Sequence, residues 1–126
     1  MPGAGKHLVV GVDDDYRVRE SIESLVESAG YEALVFSSAE EFLRSGTLAR
    51  AICVVTDVRM PGMDGIELQR RLRRERPELP VIFISAHSET RQRALDEGAV
   101  VFLYKPFDAA DLLGAIQSAV SNPPQV

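Results

Sequence analysis

Three consecutive aspartates, Asp13, Asp14 and Asp15, follow the apolar run that begins at Leu8. Asp57 follows a later apolar run, Ser85 a third and Lys105 a fourth. Carboxylates brought together repel one another and resist ionisation unless a cation neutralises them, so a bound divalent metal is the simplest completion of such a group. Oxygen-only donors select a hard ion such as Mg²⁺, which takes one or two protein carboxylates and leaves positions for water and phosphoryl oxygens. A hydroxyl such as Ser85 can donate to one phosphoryl oxygen, and the Lys105 ammonium can offset the charge on another. Together these residues point to phosphoryl chemistry with a carboxylate as acceptor.

Such side chains can meet only if their backbone elements deliver them to one place. Apolar runs at 8–12, 33–36, 52–55, 81–84 and 100–103 are near-continuous rather than alternating, as parallel strands covered on both faces require. Helical spacing of Val18, Ile22, Leu25 and Val26 predicts a first helix ending at Gly30. Ser38 and Asp64 carry N-cap patterns for the second and third helices, Ser88 for a short fourth ending near Gly98, and Asp108 for a fifth that aligns Leu112, Ile116 and Val120. Alternating strands and helices predict a doubly wound parallel sheet of five βα units with right-handed crossovers. Its functional loops collect at the carboxyl ends of the strands, where the acids, hydroxyl and lysine all fall.

The chain has 126 residues, 45% hydrophobic and 26% charged, which suits one domain with a single core. A net charge of −5 argues against a nucleic-acid surface. Cys53 is the only cysteine, so neither an intrachain disulfide nor a cysteine-rich zinc cluster is expected, and a reducing, cytoplasmic setting fits. No apolar stretch reaches signal-peptide or membrane-span length. Residues 1–7 read as an extension, 8–121 as the domain, and 122–126 as a tail or the start of a linker, with no output domain expected in this chain.

The segment from Val9 to Asp14, the run Thr56-Asp57-Val58-Arg59-Met60-Pro61-Gly62-Met63-Asp64-Gly65, the triplet Ile84-Ser85-Ala86 and the turn Lys105-Pro106-Phe107 resemble the receiver domain of bacterial two-component response regulators. The resemblance covers the chain from Val9 to about Val120. It implies a flavodoxin-like fold with strand order 2-1-3-4-5. It makes Asp57 the phospho-acceptor, Asp13 and Asp14 the acidic pair, and Ser85 and Lys105 the groups that move toward the phosphoryl oxygens. By the same similarity Phe102 occupies the place of a switch aromatic. Mg²⁺ would be held by Asp14, Asp57 and the Arg59 backbone carbonyl, with Asp13 acting mostly through water. The implied donor is a phosphohistidine of a sensor histidine kinase or phosphotransfer protein, and the implied consequence is a conformational switch that controls an output domain, a homodimer or another partner. Such a domain catalyses its own phosphorylation and dephosphorylation.

Ser85 and Lys105 stand only 20 positions apart. The family commonly has a longer interval, so the fourth helix or its preceding loop, within 86–98, is shortened. An unphosphorylated pseudo-receiver acting as an interaction module is one alternative. A small haloacid-dehalogenase-type phosphohydrolase, with Asp13 as nucleophile in an Asp-x-Asp motif, is another; after Lys105 it would have only Asp108 and Asp111 for its further acidic motif, both at a helix start. Asp15 reads as a solvated residue or helix cap, and Cys53 as a buried small hydrophobe. His7 and His87 lack a partner at metal-ligand spacing, and Ile84-Ser85-Ala86 is no nucleophile elbow that would recruit His87. The basic block at 70–76 reads as a solvated helix face, and Gly3-Ala4-Gly5-Lys6 precedes the first strand, where a phosphate-binding loop would follow it.

Overall fold

The computed structural model describes residues 7–99 and 101–121. Five strands, β1 (Leu8–Val12), β2 (Glu32–Phe36), β3 (Ala51–Asp57), β4 (Val81–Ser85) and β5 (Val101–Tyr104), form one parallel sheet in the order β2-β1-β3-β4-β5. Helices α1 (Tyr16–Ser28), α2 (Ala39–Arg44), α3 (Gly65–Glu75), α4 (Arg91–Asp96) and α5 (Ala109–Ser121) connect and follow them. The doubly wound parallel sheet is as the alternating runs predict, and the flavodoxin-like strand order is as the resemblance implies. Val100 lies outside the described residues, as do 1–6 and 122–126.

Two apolar layers flank the sheet, because successive residues of a buried strand face opposite ways. Val9, Cys53, Val55, Ile82 and Ile84 pack with Ile22 and Val26 of α1 and with Leu112, Ile116 and Ala119 of α5. Val10, Val12, Val54 and Phe83 pack on the other side with Phe42 of α2, with Ile66, Leu68 and Leu72 of α3, and with Ala94 of α4. Each fully buried aliphatic chain contributes about 1.5–3 kcal/mol relative to exposure, so both layers resist any tilt of the strand ends that carry the polar residues.

The helix starts follow local hydrogen bonding. Asp15 caps α1 by accepting from the Arg17 N–H at 2.9 Å. Ser38 caps α2 through the Glu41 N–H at 3.1 Å, while the Glu41 carboxylate accepts from Ser37 N–H at 2.9 Å. Asp64 caps α3 through the Glu67 N–H, also at 2.9 Å.

The fourth connection differs from expectation at its start. Ser88 lies inside a 3₁₀ turn, Ser88–Thr90, and does not cap the helix, which begins at Arg91. Thr90 occupies the cap position, but its hydroxyl donates backward to the His87 carbonyl at 2.7 Å. At six residues α4 is indeed short. Gly98, at φ 92°, ends this connection in the left-handed region that glycine enters without steric cost.

The basic block is also more than a solvated face. Arg70 pairs with Glu97 at 3.0 Å, and Arg73 donates to the Glu97 carbonyl at 3.1 Å, which ties α3 to the end of α4. Arg76 donates to the carbonyls of Leu48 and Ala51 at 2.8 and 2.7 Å, linking the end of α3 to the entry of β3.

Candidate functional site

Strand β1 ends one residue before Asp13, and β3 ends on Asp57 itself, so the β1–β3 pairing of Val12 with Thr56 carries the two aspartates to the same edge. Pairing of Asp57 with Ile84 puts Ser85 one step beyond, and pairing of Ser85 with Tyr104 puts Lys105 one step beyond that. The four strand ends thus deliver the acids, the hydroxyl and the lysine as the sequence arrangement requires. Gly65 permits the close seating of α3 against this edge: a Cβ there would collide with the Asp57 backbone carbonyl, and the Gly65 N–H donates to the Val58 carbonyl at 2.8 Å.

Carboxylate oxygens of Asp13, Asp14 and Asp57 lie within 4.8 Å of one another. Asp13 is fully buried, Asp57 is 6% exposed, and Asp14 is exposed. Lys105 Nζ sits 2.9 Å from Asp13 Oδ2 and 3.3 Å from Asp57 Oδ2. Three carboxylates beside one ammonium leave two formal negative charges, the charge of one divalent cation. Asp13 Oδ1 accepts from the Asp15 N–H at 2.8 Å, and the buried Oδ2 rests against the Lys105 ammonium. Hard oxygen donors and surplus negative charge together fit Mg²⁺.

Burial, and then the Asp13 charge, push the Asp57 carboxyl up to about 6 against the opposing pull of Lys105; Asp14 adds a smaller upward push. Burial works to lower the Lys105 pKa, but contact with Asp13 and Asp57 outweighs it and holds the ammonium above its ordinary value. Asp57 therefore titrates closer to neutrality than an ordinary aspartate, and Lys105 stays charged.

Ser85 is fully buried, and its Oγ accepts from the His87 N–H at 2.9 Å. Arg59, two residues past Asp57, pairs through its side chain with Glu89 at 2.8 Å and so joins the β3–α3 loop to the β4–α4 turn. Phe102 is half-buried on β5, paired in register with Phe83, and meets the exposed Tyr104 ring edge-on at 5.2 Å. A cleft of about 420 Å³ opens beside Lys105, between Arg17, Val18 and Ser21 of α1 and Ala86, Pro106 and Phe107.

Three further residues brace the site without a local signature in the sequence. Arg19 donates to the Asp13 backbone carbonyl at 2.8 Å. Glu40 accepts from the Met63 N–H at 3.0 Å and steadies the β3–α3 loop; that bond holds its carboxyl below the usual range. Thr90, 3% exposed, bonds the His87 carbonyl beneath Ser85. Cys53 is buried, and burial pushes its thiol up to about 12, which leaves it inert at neutral pH. His87 lies 3.6 Å from Glu89 and shares no contact with Asp57 or Lys105 among the ion pairs of the described residues.

Comparison with known proteins agrees with this arrangement. Residues 9–117 match the response regulator receiver domain family. The response regulator protein TmoT of Ectopseudomonas mendocina is 43% identical over 116 residues, covering 90% of this chain and 53% of the relative. The transcriptional regulatory protein FixJ of Bradyrhizobium diazoefficiens is 39% identical, covering 90% of this chain and 56% of the relative. The chain thus spans about half the length of these curated relatives. Among solved structures, a response regulator receiver domain protein from Clostridium thermocellum superposes with a TM-score of 0.84 at 31% identity, covering 90% of this chain and 94% of that one. The response regulator StyR superposes with a TM-score of 0.83 at 42% identity, covering 93% of this chain and 60% of that one. With the strand order, the acidic edge and these matches in agreement, the chain belongs to the response regulator receiver domain family of two-component systems.

Proposed function

We propose that this receiver domain accepts a phosphoryl group on Asp57 from a phosphohistidine of a sensor histidine kinase or phosphotransfer protein in the cytoplasm, and that the acyl phosphate changes its surface toward an output domain or a second copy. The observation that carries the reading is the placement of Asp57 between the Asp13/Asp14 carboxylates and the Lys105 ammonium. An Asp57 carboxylate oxygen attacks phosphorus in line as the phosphorus–nitrogen bond of the donor breaks, and the electron pair of that bond returns to the imidazole nitrogen. With its carboxyl at about 6, Asp57 is mostly ionised at pH 7 and competent to attack.

Asp14, Asp57 and the Arg59 carbonyl would hold Mg²⁺, with Asp13 acting mainly through water; when bound, the ion supplies charge neutralisation for the transferred group. Lys105 faces Asp13 and Asp57 from the other side and offers its ammonium to a second phosphoryl oxygen. Ser85 donates its hydroxyl to a third. As Ser85 and Lys105 shift toward the new group, Phe102 turns inward to fill the space released, which converts a local charge into a change of surface.

Asp13 supports the nucleophile role less well, since Oδ1 is taken by the Asp15 N–H and Oδ2 faces Lys105. The test is incubation with Mg²⁺ and acetyl phosphate, followed by intact-mass measurement. One added phosphoryl group is expected, abolished in Asp57→Ala. Its persistence in that variant with loss in Asp13→Ala would establish the phosphohydrolase reading, and no modification of the wild type would establish a pseudo-receiver.

A further inference from the structure

We propose that Thr90 is a positioning residue that keeps the Ser85 hydroxyl proton free for an oxygen arriving at Asp57. The proposal rests on Ser85 serving as the phosphoryl-oxygen donor described above, and it adds a residue outside the motif-bearing strand ends.

Hydrogen-bond accounting at His87 carries the inference. A backbone carbonyl oxygen has two lone pairs. The His87 oxygen accepts from the Thr90 N–H at 3.1 Å and from the Thr90 hydroxyl at 2.7 Å, so Thr90 occupies both. Ser85 Oγ lies 3.4 Å from the same oxygen, too far for a bond of comparable strength. The Thr90 hydroxyl has one proton and spends it in the short bond, so its 3.4 Å approach to Ser85 Oγ is not a second strong donation. Ser85 Oγ meanwhile accepts from the His87 N–H at 2.9 Å, which fixes the oxygen while leaving its proton only the long, weak 3.4 Å contact with the His87 carbonyl. Water cannot readily claim that proton, because Ser85 is fully buried and Thr90 is 3% exposed.

The arrangement holds a donor in place with only a weak bond from its proton. A weakly bonded buried hydroxyl gains more from a new acceptor than one already well bonded, and a phosphoryl oxygen is a charged acceptor. Removal of the Thr90 hydroxyl would free a lone pair on the His87 carbonyl and let the 3.4 Å contact from Ser85 Oγ close into a full hydrogen bond there.

The experiment measures phosphoryl uptake from acetyl phosphate with Mg²⁺ by time-resolved intact mass. Thr90→Val is expected to slow uptake about threefold to tenfold, the worth of one modest hydrogen bond. Thr90→Ser, which keeps the donor, is expected to restore the rate. In a Ser85→Ala background Thr90→Val should add no further slowing, because the proton it protects is gone. Mg²⁺ affinity, followed by NMR titration of the Asp14 amide, should match the wild type in Thr90→Val and Thr90→Ser, and should be the same in Ser85→Ala with and without Thr90→Val. An unchanged rate in Thr90→Val, failure of Thr90→Ser to restore it, equal slowing in the Ser85→Ala background, or altered Mg²⁺ affinity would each overturn the proposal. If Thr90→Val does not fold, Thr90→Cys, with its weak donor, takes its place under the same expectations. A wild type that takes no phosphoryl group on Asp57 would instead overturn the functional reading itself.

Discussion

Asp57 and Lys105 hold opposite charges in a setting that favours one and penalises the other. The raised Asp57 pKa means that the folded state binds a proton more tightly than the unfolded chain does. Its contribution is therefore fully favourable below the unfolded value near 3.8 and is lost as pH rises through about 6. Asp57→Asn, which cannot ionise, is expected to be more stable than the wild type at pH 7 by about 1–2 kcal/mol, with the difference shrinking between pH 6 and 4. Urea unfolding across that range checks it; a gap constant with pH would contradict the assignment. Lys105→Met removes the ammonium that faces Asp13 and Asp57 among the described residues. A loss of about 2 kcal/mol in thermal or denaturant unfolding without metal is expected, with partial recovery on adding Mg²⁺. Recovery absent at saturating Mg²⁺ would show that the cluster does not take the ion.

At the scale of elements, the end of α3 does more than shield the sheet. Arg76, whose side chain is 25% exposed, reaches the carbonyls of Leu48 and Ala51 and pairs with Glu78 at 2.7 Å. Arg76→Ala leaves those carbonyls short of a charged donor and is expected to cost about 2 kcal/mol, whereas Arg74→Ala on the exposed face should change stability by less than about 0.5 kcal/mol. Comparison of the two midpoints in urea separates a clamp from a solvated face. From the sequence, the block at 70–76 reads as a solvated helix face, because side-chain bonds to backbone carbonyls 24 or more residues away carry no local pattern. Ser88 misleads for a related reason. A serine ahead of a helix has cap chemistry, but the turn is closed by Thr90 and His87, and the helix begins only after it.

For the whole molecule, the ends of β1, β3, β4 and β5 act as a single device for bringing polar and charged groups together, and a bound ion should stabilise the fold that makes its site. Mg²⁺ at 100 times its Kd is expected to raise unfolding free energy by about 2.7 kcal/mol. Asp14 is exposed, so Asp14→Asn should leave stability without metal nearly unchanged while removing most of that gain. Thermal melts with Mg²⁺ and with chelator test both parts. Equal stabilisation of the variant would place the ion elsewhere. No helix among the described residues is long and apolar enough to cross a membrane.

The five apolar runs and the helical spacings between them determine the parallel sheet, since burial on both faces leaves few other ways to hide that much apolar surface. They also determine that Asp13, Asp57, Ser85 and Lys105 reach one edge, because each lies at or just past the end of a strand. The tertiary structure alone decides how those groups balance. The Asp57 carboxyl at about 6 depends on burial and on charges carried by the segments after β1 and β5, and the weak engagement of the Ser85 proton depends on a turn closed by Thr90. Electrostatic energies vary with distance and solvent access, quantities that exist only once the strands have met.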